Sequence, residues 1–268
     1  MKLAVSNMAW SAEENAGAAQ LLHAYGATGI ELVPTVLWGE WPRALAAVPA
    51  DIPPPLQGFS RPAMQSLLFN LPDHALFRDA EAETRLVEHL LKVIALAKRL
   101  SVGVLVFGSP RQRVRGATSM TEAVKHFAHF AARVAPAAAD PGVKLALEAN
   151  PEAYGCDFIT STPELIELFE RVRQPGIGLH FDTGTAIING EDLAGLIRAV
   201  GSSLNHFHIS QPQLEGFSAM SDTHAACTEA LRAMSYSHWV SIEMRRGERG
   251  LVDLETAVAA TTEVYGFT

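Results

Sequence analysis

The chain has 268 residues, enough for one large core and close to the length of an eight-fold strand-helix barrel, so a single domain spanning 1–268 is expected. Apolar residues make up 48% and charged residues 19%, which excludes a disordered chain. Acidic residues outnumber basic ones, 29 to 21, and the net charge of -8 disfavours nucleic acid as a partner.

The opening MKLAVSNMAWSAEEN turns acidic too soon for a secretory segment, and no apolar run approaches a membrane-spanning length. The two cysteines, Cys156 and Cys227, lack metal-type spacing, and such sparse usage fits a reducing compartment. A cytoplasmic protein with no membrane partner is the expectation.

Residues 2–6 read as a first strand, and Ser11 with Glu14 forms a capping box opening a helix that ends near Gly26. A second strand covers 29–34 and contains Glu31. The stretch through Trp38 and Trp41 to Val48 reads as a loop and weak helix. Three consecutive prolines at 53–55 forbid a helix and lead into a third strand at 64–69. Between Asp79 and Leu100, the residues Leu86, Leu90, Val93, Ala97 and Leu100 recur at three or four, marking an amphipathic helix on the outside of the barrel.

A fourth strand at 102–108 is followed by SPRQRVRG, which sets Arg111, Arg113 and Arg115 just past a strand end. This basic patch reads equally as an anion clamp for a substrate phosphate or carboxylate and as a solvated loop. Ser119 with Glu122 caps a helix to about Ala139, and residues 140–142 turn the chain into strand five, 144–148. Thr162 and Pro163 open the next helix. Strand six is 176–182, helix six 190–201, strand seven 204–210, then an irregular QPQLEGF, a helix at 222–235, strand eight at 238–244 and a closing helix at 251–265. The alternation predicts an α/β fold, a single (β/α)8 TIM barrel.

Strands five to eight end in Glu148, Asp182, His208 and Glu243. Singly, each is more simply a salt-bridge partner, a helix cap or a core histidine. Together they are hard to explain structurally, because carboxylates gathered at one barrel mouth repel one another and need a cation. One divalent metal ion is expected, with manganese, cobalt or magnesium favoured by the oxygen-rich set and zinc possible. His180 shares a strand face with Asp182, and His206 with His208; they read as residues that orient ligands, contact substrate or pack in the core. Such an ion holds a hydroxycarbonyl and stabilises its enediolate, while Glu148 and Glu243 on opposite sides remove and return a proton.

On LALEANP around Glu148, GLHFDTG around Asp182, NHFHIS around His208 and WVSIEM around Glu243, the chain resembles the metal-dependent sugar isomerase and epimerase superfamily with the xylose-isomerase-like barrel. That superfamily includes ketose 3-epimerases, hydroxypyruvate isomerase and inosose dehydratase. The resemblance covers essentially the whole chain. It implies that the four matching residues bind one divalent ion and that Glu148 and Glu243 are the acid/base pair of an isomerase or epimerase acting on a carbohydrate. Two substrate-contacting family residues are missing: Thr185 stands where epimerases have a His, and the QPQLEGF stretch a few residues past His208 has no Arg. Arg111, Arg113 and Arg245 are candidate replacements, hinting at an acid or phosphate on the substrate, with Asn150, His180, Gln211 and His224 as further contact candidates.

The alternative on the same site is a lyase, in which the enediolate expels a beta substituent from a keto-sugar or keto-inositol. A three-zinc endonuclease would need more histidine ligands and a basic surface. A non-catalytic binding barrel has no need of four intact ligands. Association into a homo-oligomer through loops or outer helices fits this architecture.

Overall fold

The computed structural model describes residues 1–140, 142–217 and 220–267. Eight parallel strands form one sheet: β1 (Lys2–Ser6), β2 (Gly29–Glu31), β3 (Ala63–Met64), β4 (Val104–Phe107), β5 (Lys144–Leu147), β6 (Ile177–Asp182), β7 (Leu204–Ser210) and β8 (Trp239–Glu243). Their order is β2-β1-β8-β7-β6-β5-β4-β3, and single parallel bridges at Gly29–Ser60 and Leu32–Met64 span the remaining gap between β2 and β3. With helices between the strands, the chain forms the expected (β/α)8 TIM barrel, nearly closed.

The helix Ala80–Leu100 begins where Asp79 Oδ1 accepts the Ala82 amide at 2.7 Å and ends at the left-handed Ser101. All five residues of its expected apolar stripe are buried, each Leu contributing about 1.5–3 kcal/mol by leaving water. Behind β4, Phe107, Phe127, Phe130 and Phe158 pack as a chain of aromatic contacts with centroids 5.5–5.8 Å apart. The helix Met120–Ala139 carries Pro136 three residues before its end. The turn expected at 140–142 includes Pro141, which lies outside the described residues.

Three local expectations are corrected. The third strand is two residues long rather than six, because Ser66 takes a left-handed backbone (φ 55) that ends the extended run; Leu67 and Leu68 are buried by loop packing instead. The capping box at Ser11 starts a short 3-10 turn, Ala12–Glu14, before the helix Asn15–Ala24. A helix absent from the sequence reading, Thr183–Asn189, follows directly on β6, capped by Asp182, and precedes the helix Leu193–Val200.

The barrel interior is polar on the side that holds the strand-end acids. Ser6, Glu31, Gln65, His180, His206, His208 and Ser241 are all buried there or at its rim, where branched apolar residues usually fill such a barrel. Among the described residues, no helix is long and apolar enough to cross a membrane.

Outside the barrel, His89 donates from Nε2 to the Leu67 carbonyl at 2.8 Å, holding the loop that replaces the third strand, and its ring meets Trp41 edge-on. Burial pushes its pKa down to about 4, from 6.5 ordinarily. The unfolded chain therefore binds a proton that the folded chain refuses as the pH falls from about 6.5 towards 4, so this contribution to stability is complete above 6.5 and drains away below it. Comparing wild type with His89→Gln cancels the other titrating groups. Urea unfolding of the pair is expected to show their stability difference narrowing by at most about 2 kcal/mol between about pH 7 and about pH 5. A pH-independent difference would mean that the ring is charged in the fold.

Candidate metal centre

Side chains of like parity on one strand share a face, and the strand register fixes which of them meet. His180 is level with His206, and Asp182 with His208, across β6 and β7; His208 is level with Ser241, and Ser210 with Glu243, across β7 and β8. Glu148 follows directly on β5. All four expected ligands thus reach the same barrel mouth.

At their centre is the His208 ring. Its Nε2 is 2.9 Å from Glu31 Oε1, while Nδ1 faces the acids: Glu243 Oε2 at 3.0 Å, with Glu148 Oε1 and Asp182 Oδ2 each at 3.9 Å. This buried Nδ1 has no hydrogen-bond partner. The other Glu31 oxygen holds His206 Nε2 at 2.9 Å. Burial alone would raise the Glu31 carboxyl, but His208 and His206 override it and hold it well below the usual carboxylate range. Burial would likewise depress His208, yet Glu31 and Glu243 on either side raise it well above an ordinary imidazole.

Burial raises the carboxyls of Glu148, Asp182 and Glu243; Glu148 adds to it at Asp182, and Glu148 and Asp182 both add to it at Glu243. Each acid is also aimed by neutral donors. Asn150 Nδ2 donates to Glu148 Oε2 at 3.0 Å, the Thr185 amide to Asp182 Oδ1 at 2.6 Å, and the Ser210 hydroxyl to Asp182 Oδ2 at 2.5 Å. Gly108 leaves room for Glu148, since a Cβ there would lie 2.1 Å from Oε2.

An unpartnered imidazole nitrogen facing three acids, with its opposite nitrogen already bonded to a carboxylate, is the donor arrangement that a divalent cation takes. The residues fit the ion. Among the described residues, one nitrogen each of His180 and His208 and one oxygen each of Glu148 and Asp182 lie within 4.8 Å of one another, as do nitrogens of His180, His206 and His208. The first group contains three of the four expected ligands; the fourth, Glu243, has the acid oxygen nearest to His208 Nδ1.

A cavity of about 230 Å³ opens above this centre, bordered by Glu148, Asn150, Asp182, Thr185 and Glu243, with Tyr154 and Leu214 across the mouth. The remaining residues singled out in the sequence are placed as follows. Arg113 is almost wholly buried, and its guanidinium donates to the carbonyls of Gly108, Phe158 and Glu148 and to Asn150 Oδ1. It therefore ties the loop after β4 to the Glu148 strand end and does not extend into the cavity as an anion clamp. Arg115 is bonded to Asp157 and Thr118. Arg111 is exposed on the wall of an adjoining groove, and Arg245 is exposed away from the cavity lining. His180 is fully buried beneath the cavity. His224 is also buried: Gln211 Nε2 donates to its Nε2 at 3.2 Å, its Nδ1 bonds Tyr265 Oη, and burial lowers its pKa to about 4.

The sequence reading passed over Glu31, Ser210, Tyr154 and Gln65. The signal for Glu31 was present: a lone acid inside an otherwise apolar strand, on the face that Gly29 also shares.

The profile of the xylose isomerase-like TIM barrel family matches residues 19–264. The chain belongs to that family. No match to a curated protein is found. Similar solved structures include a D-psicose 3-epimerase with D-tagatose from Clostridium cellulolyticum H10 (TM-score 0.77, 16% identity, 99% of each chain covered). Others are the 3-keto-D-glucoside 4-epimerase YcjR from E. coli (0.74, 17%, 98% of this chain and 99% of that one) and the IOLI protein with a bound zinc atom (0.71, 18%, 99% and 98%). At such identities the likeness shows the shared barrel.

Glu31 bonds the His208 ring on the side away from the strand-end acids, so its removal reads out as affinity. Glu31→Gln is expected to weaken Co2+ or Zn2+ binding by about 10–100-fold in calorimetric titration while leaving the fold intact by circular dichroism. Unchanged affinity would mean that the Glu31 bond does not orient the ligand nitrogen.

Proposed function

We propose that the protein is an isomerase or epimerase of a sugar, sugar phosphate or sugar acid that works at one divalent metal ion, with manganese, cobalt or magnesium favoured. The observation that carries this reading is the convergence of three carboxylates, Asp182 and Glu243 buried and Glu148 partly so, on the unpartnered Nδ1 of His208. Glu148, Asp182, His208 and Glu243 would hold the ion. A divalent cation bound there polarises a carbonyl and acidifies the C–H beside it. The activities named for the similar epimerases, on free ketoses and on a keto-glucoside, need this kind of proton transfer.

Glu148 and Glu243 are the acid/base pair. One carboxylate takes the proton from the carbon next to the carbonyl, leaving an enediolate. The other returns a proton to the opposite face of that carbon for epimerisation, or to its neighbour for isomerisation. Burial raises both carboxyls, moving them towards a range suited to exchanging protons near neutrality. Asn150 fixes Glu148 Oε2. Tyr154 and the 212–214 turn stand over the cavity, where the Gln213 amide donates to Tyr154 Oη at 2.8 Å, and they limit its access to water.

The test is solvent exchange. In deuterated water with Mn2+ or Co2+, a panel of ketoses, sugar phosphates and keto sugar acids is expected to yield one substrate that gains deuterium beside its carbonyl. Glu148→Gln and Glu243→Gln should slow that exchange by about 100–10,000-fold. Exchange with loss of water would make the protein a dehydratase. No exchange by the metal-loaded protein on any of these classes would remove the proton-transfer reading.

An anionic substrate is supported by the adjoining groove of about 650 Å³, which shares Ser66, Ser109 and Pro110 with the cavity and carries Arg111 and Phe69 on its walls. Arg111 supplies a cation within reach of a substrate extended out of the cavity, compensating for the histidine and arginine that Thr185 and the 211–217 loop lack. For an anionic substrate, Arg111→Ala is expected to raise KM about tenfold with kcat little changed, the loss of one charge-assisted hydrogen bond. Equal KM values would rule out an anion at this end.

A further inference from the structure

The opposite end of the barrel holds a cavity that the catalytic reading does not use. It occupies about 540 Å³ at the amino-terminal mouth, where Lys2, Arg61, Lys144, His206, His238 and Trp239 are among the residues that border it. No acidic residue lines it, although the chain carries 29 acids and a net charge of -8. Among the described residues, Lys2, Arg61 and Lys144 form no ion pair.

Strand parity turns two of these cations inward. Lys2 lies four residues before Ser6, whose hydroxyl accepts from Gln65 inside the barrel, and Lys144 lies four before Glu148, so both open their strands on the inner face. Glycines keep the mouth open: a Cβ on Gly29 would lie 2.5 Å from the Trp239 ring, and one on Gly178 would lie 2.5 Å from Asn205 Oδ1. The Lys2 ammonium stands over the Trp239 ring, 5.4 Å from its centroid. Arg61 is fixed by two carbonyls, with Nε on Leu100 at 2.8 Å and Nη1 on Phe59 at 3.4 Å, and its Nη2 makes no hydrogen bond to the described residues. Cations gathered without a counter-charge repel one another, and an anion among them relieves that repulsion. Three cations and no acid suit a dianion better than a singly charged carboxylate.

We propose that the amino-terminal mouth is a binding site for a phosphate group, as the free ion or a small monoester, held by Lys2, Arg61 and Lys144. The ligand is a separate molecule from the substrate. Lys144 and Glu148 stand at opposite ends of β5, about 13 Å apart at the usual rise of a strand, and the buried rings of His180 and His206 fill the barrel between the two mouths. One small ligand cannot reach both. His206 borders the cavity from within while its Nε2 holds Glu31, so the inner wall of this site is also part of the support beneath His208. The site stands or falls independently of the metal chemistry.

The chain has four tryptophans, so 15N-tryptophan labelling of the full-length protein gives four indole N–H signals, and Trp239→Phe identifies the one at this mouth. Titration with inorganic phosphate at fixed ionic strength is expected to shift that signal saturably, with a Kd on the order of 1 mM. Tighter binding of glycerol 3-phosphate would mark a monoester as the ligand, and equal or weaker binding would mark the free ion. Replacing both Lys2→Gln and Lys144→Gln should weaken phosphate about 10–100-fold, the loss of charge-assisted hydrogen bonds. Arg111→Ala, at the other mouth, should leave the titration unchanged. A Trp239 signal that does not saturate, that responds equally to acetate, or that ignores the lysine replacements would show a merely solvated cluster and overturn the site. Loss of the shift in Arg111→Ala would assign the phosphate to the catalytic mouth, with the same consequence. The comparison of phosphate with acetate uses the wild-type protein and does not depend on whether a variant folds.

Discussion

The imidazole of His208 is gripped from both sides, by Glu31 beneath and by the strand-end carboxylates above, and much of the site depends on that grip. A buried carboxylate is unfavourable unless its charge is matched. Glu31 is matched by two imidazoles, and this makes the Nε2 of His208 the hydrogen-bonded end and Nδ1 the free one. The tautomer suited to a ligand is therefore chosen by a residue that does not touch the cavity, on β2, nearly opposite β6 around the barrel. The same pairing explains how a barrel can hold polar residues along part of its axis. The polar groups are bonded in pairs, Glu31 to His206 and His208 and Ser6 to Gln65, and the unmatched ones gather where a cation would sit.

A second layer of support comes from loops held in uncommon backbone shapes. Ser66, Ser109 and Leu214 all have positive φ and all border the cavity, and Asn70 lies along the adjoining groove. Left-handed conformations of non-glycine residues persist only where surrounding structure fixes them. For Ser109 the fixing element is visible: Arg113, four residues on, is buried with its guanidinium spread over the Gly108 and Glu148 carbonyls and Asn150 Oδ1. Asn150 in turn donates to Glu148. One arginine thus transmits the shape of the loop after β4 to the orientation of a proposed proton-transfer group.

The barrel was legible in the sequence because its signal is repeated. Apolar runs of strand length alternate with helical periodicity, and capping residues such as Asp79 and Ser119 mark where helices begin. The four strand-end donors were legible for the same reason, since they fall at one recurring place in the unit. What could not be read were properties set by neighbours distant in the chain. MQSLLF has the composition of a strand, yet Ser66 turns it into a loop that His89 fastens from another helix. Arg113 and Arg111 are indistinguishable as letters in SPRQRVRG, but one is folded into the protein and the other faces a groove. His224 and Gln211 satisfy each other.

Strand parity carries information that a list of strand-end residues loses. Residues at the last position of each strand define a ring, whereas residues two positions earlier define a second ring one layer below it, facing the same axis. In this chain the positions two residues below the donors of β6 and β7 hold His180 and His206 in place of the apolar residues that close most barrels, while Ser241 of β8 stands level with His208. A cation held among the strand-end donors would be neutralised by carboxylates that otherwise repel one another, with His208 supplying the nitrogen. The acids differ in how neutral donors hold them: Glu148 accepts from Asn150 and Asp182 from Thr185 and Ser210, whereas Glu243 lies 3.0 Å from His208. Two chemically identical glutamates at equivalent strand ends come to differ in how tightly they are held, and a carboxylate that must give up and recover a proton works best when it is the less constrained of the two.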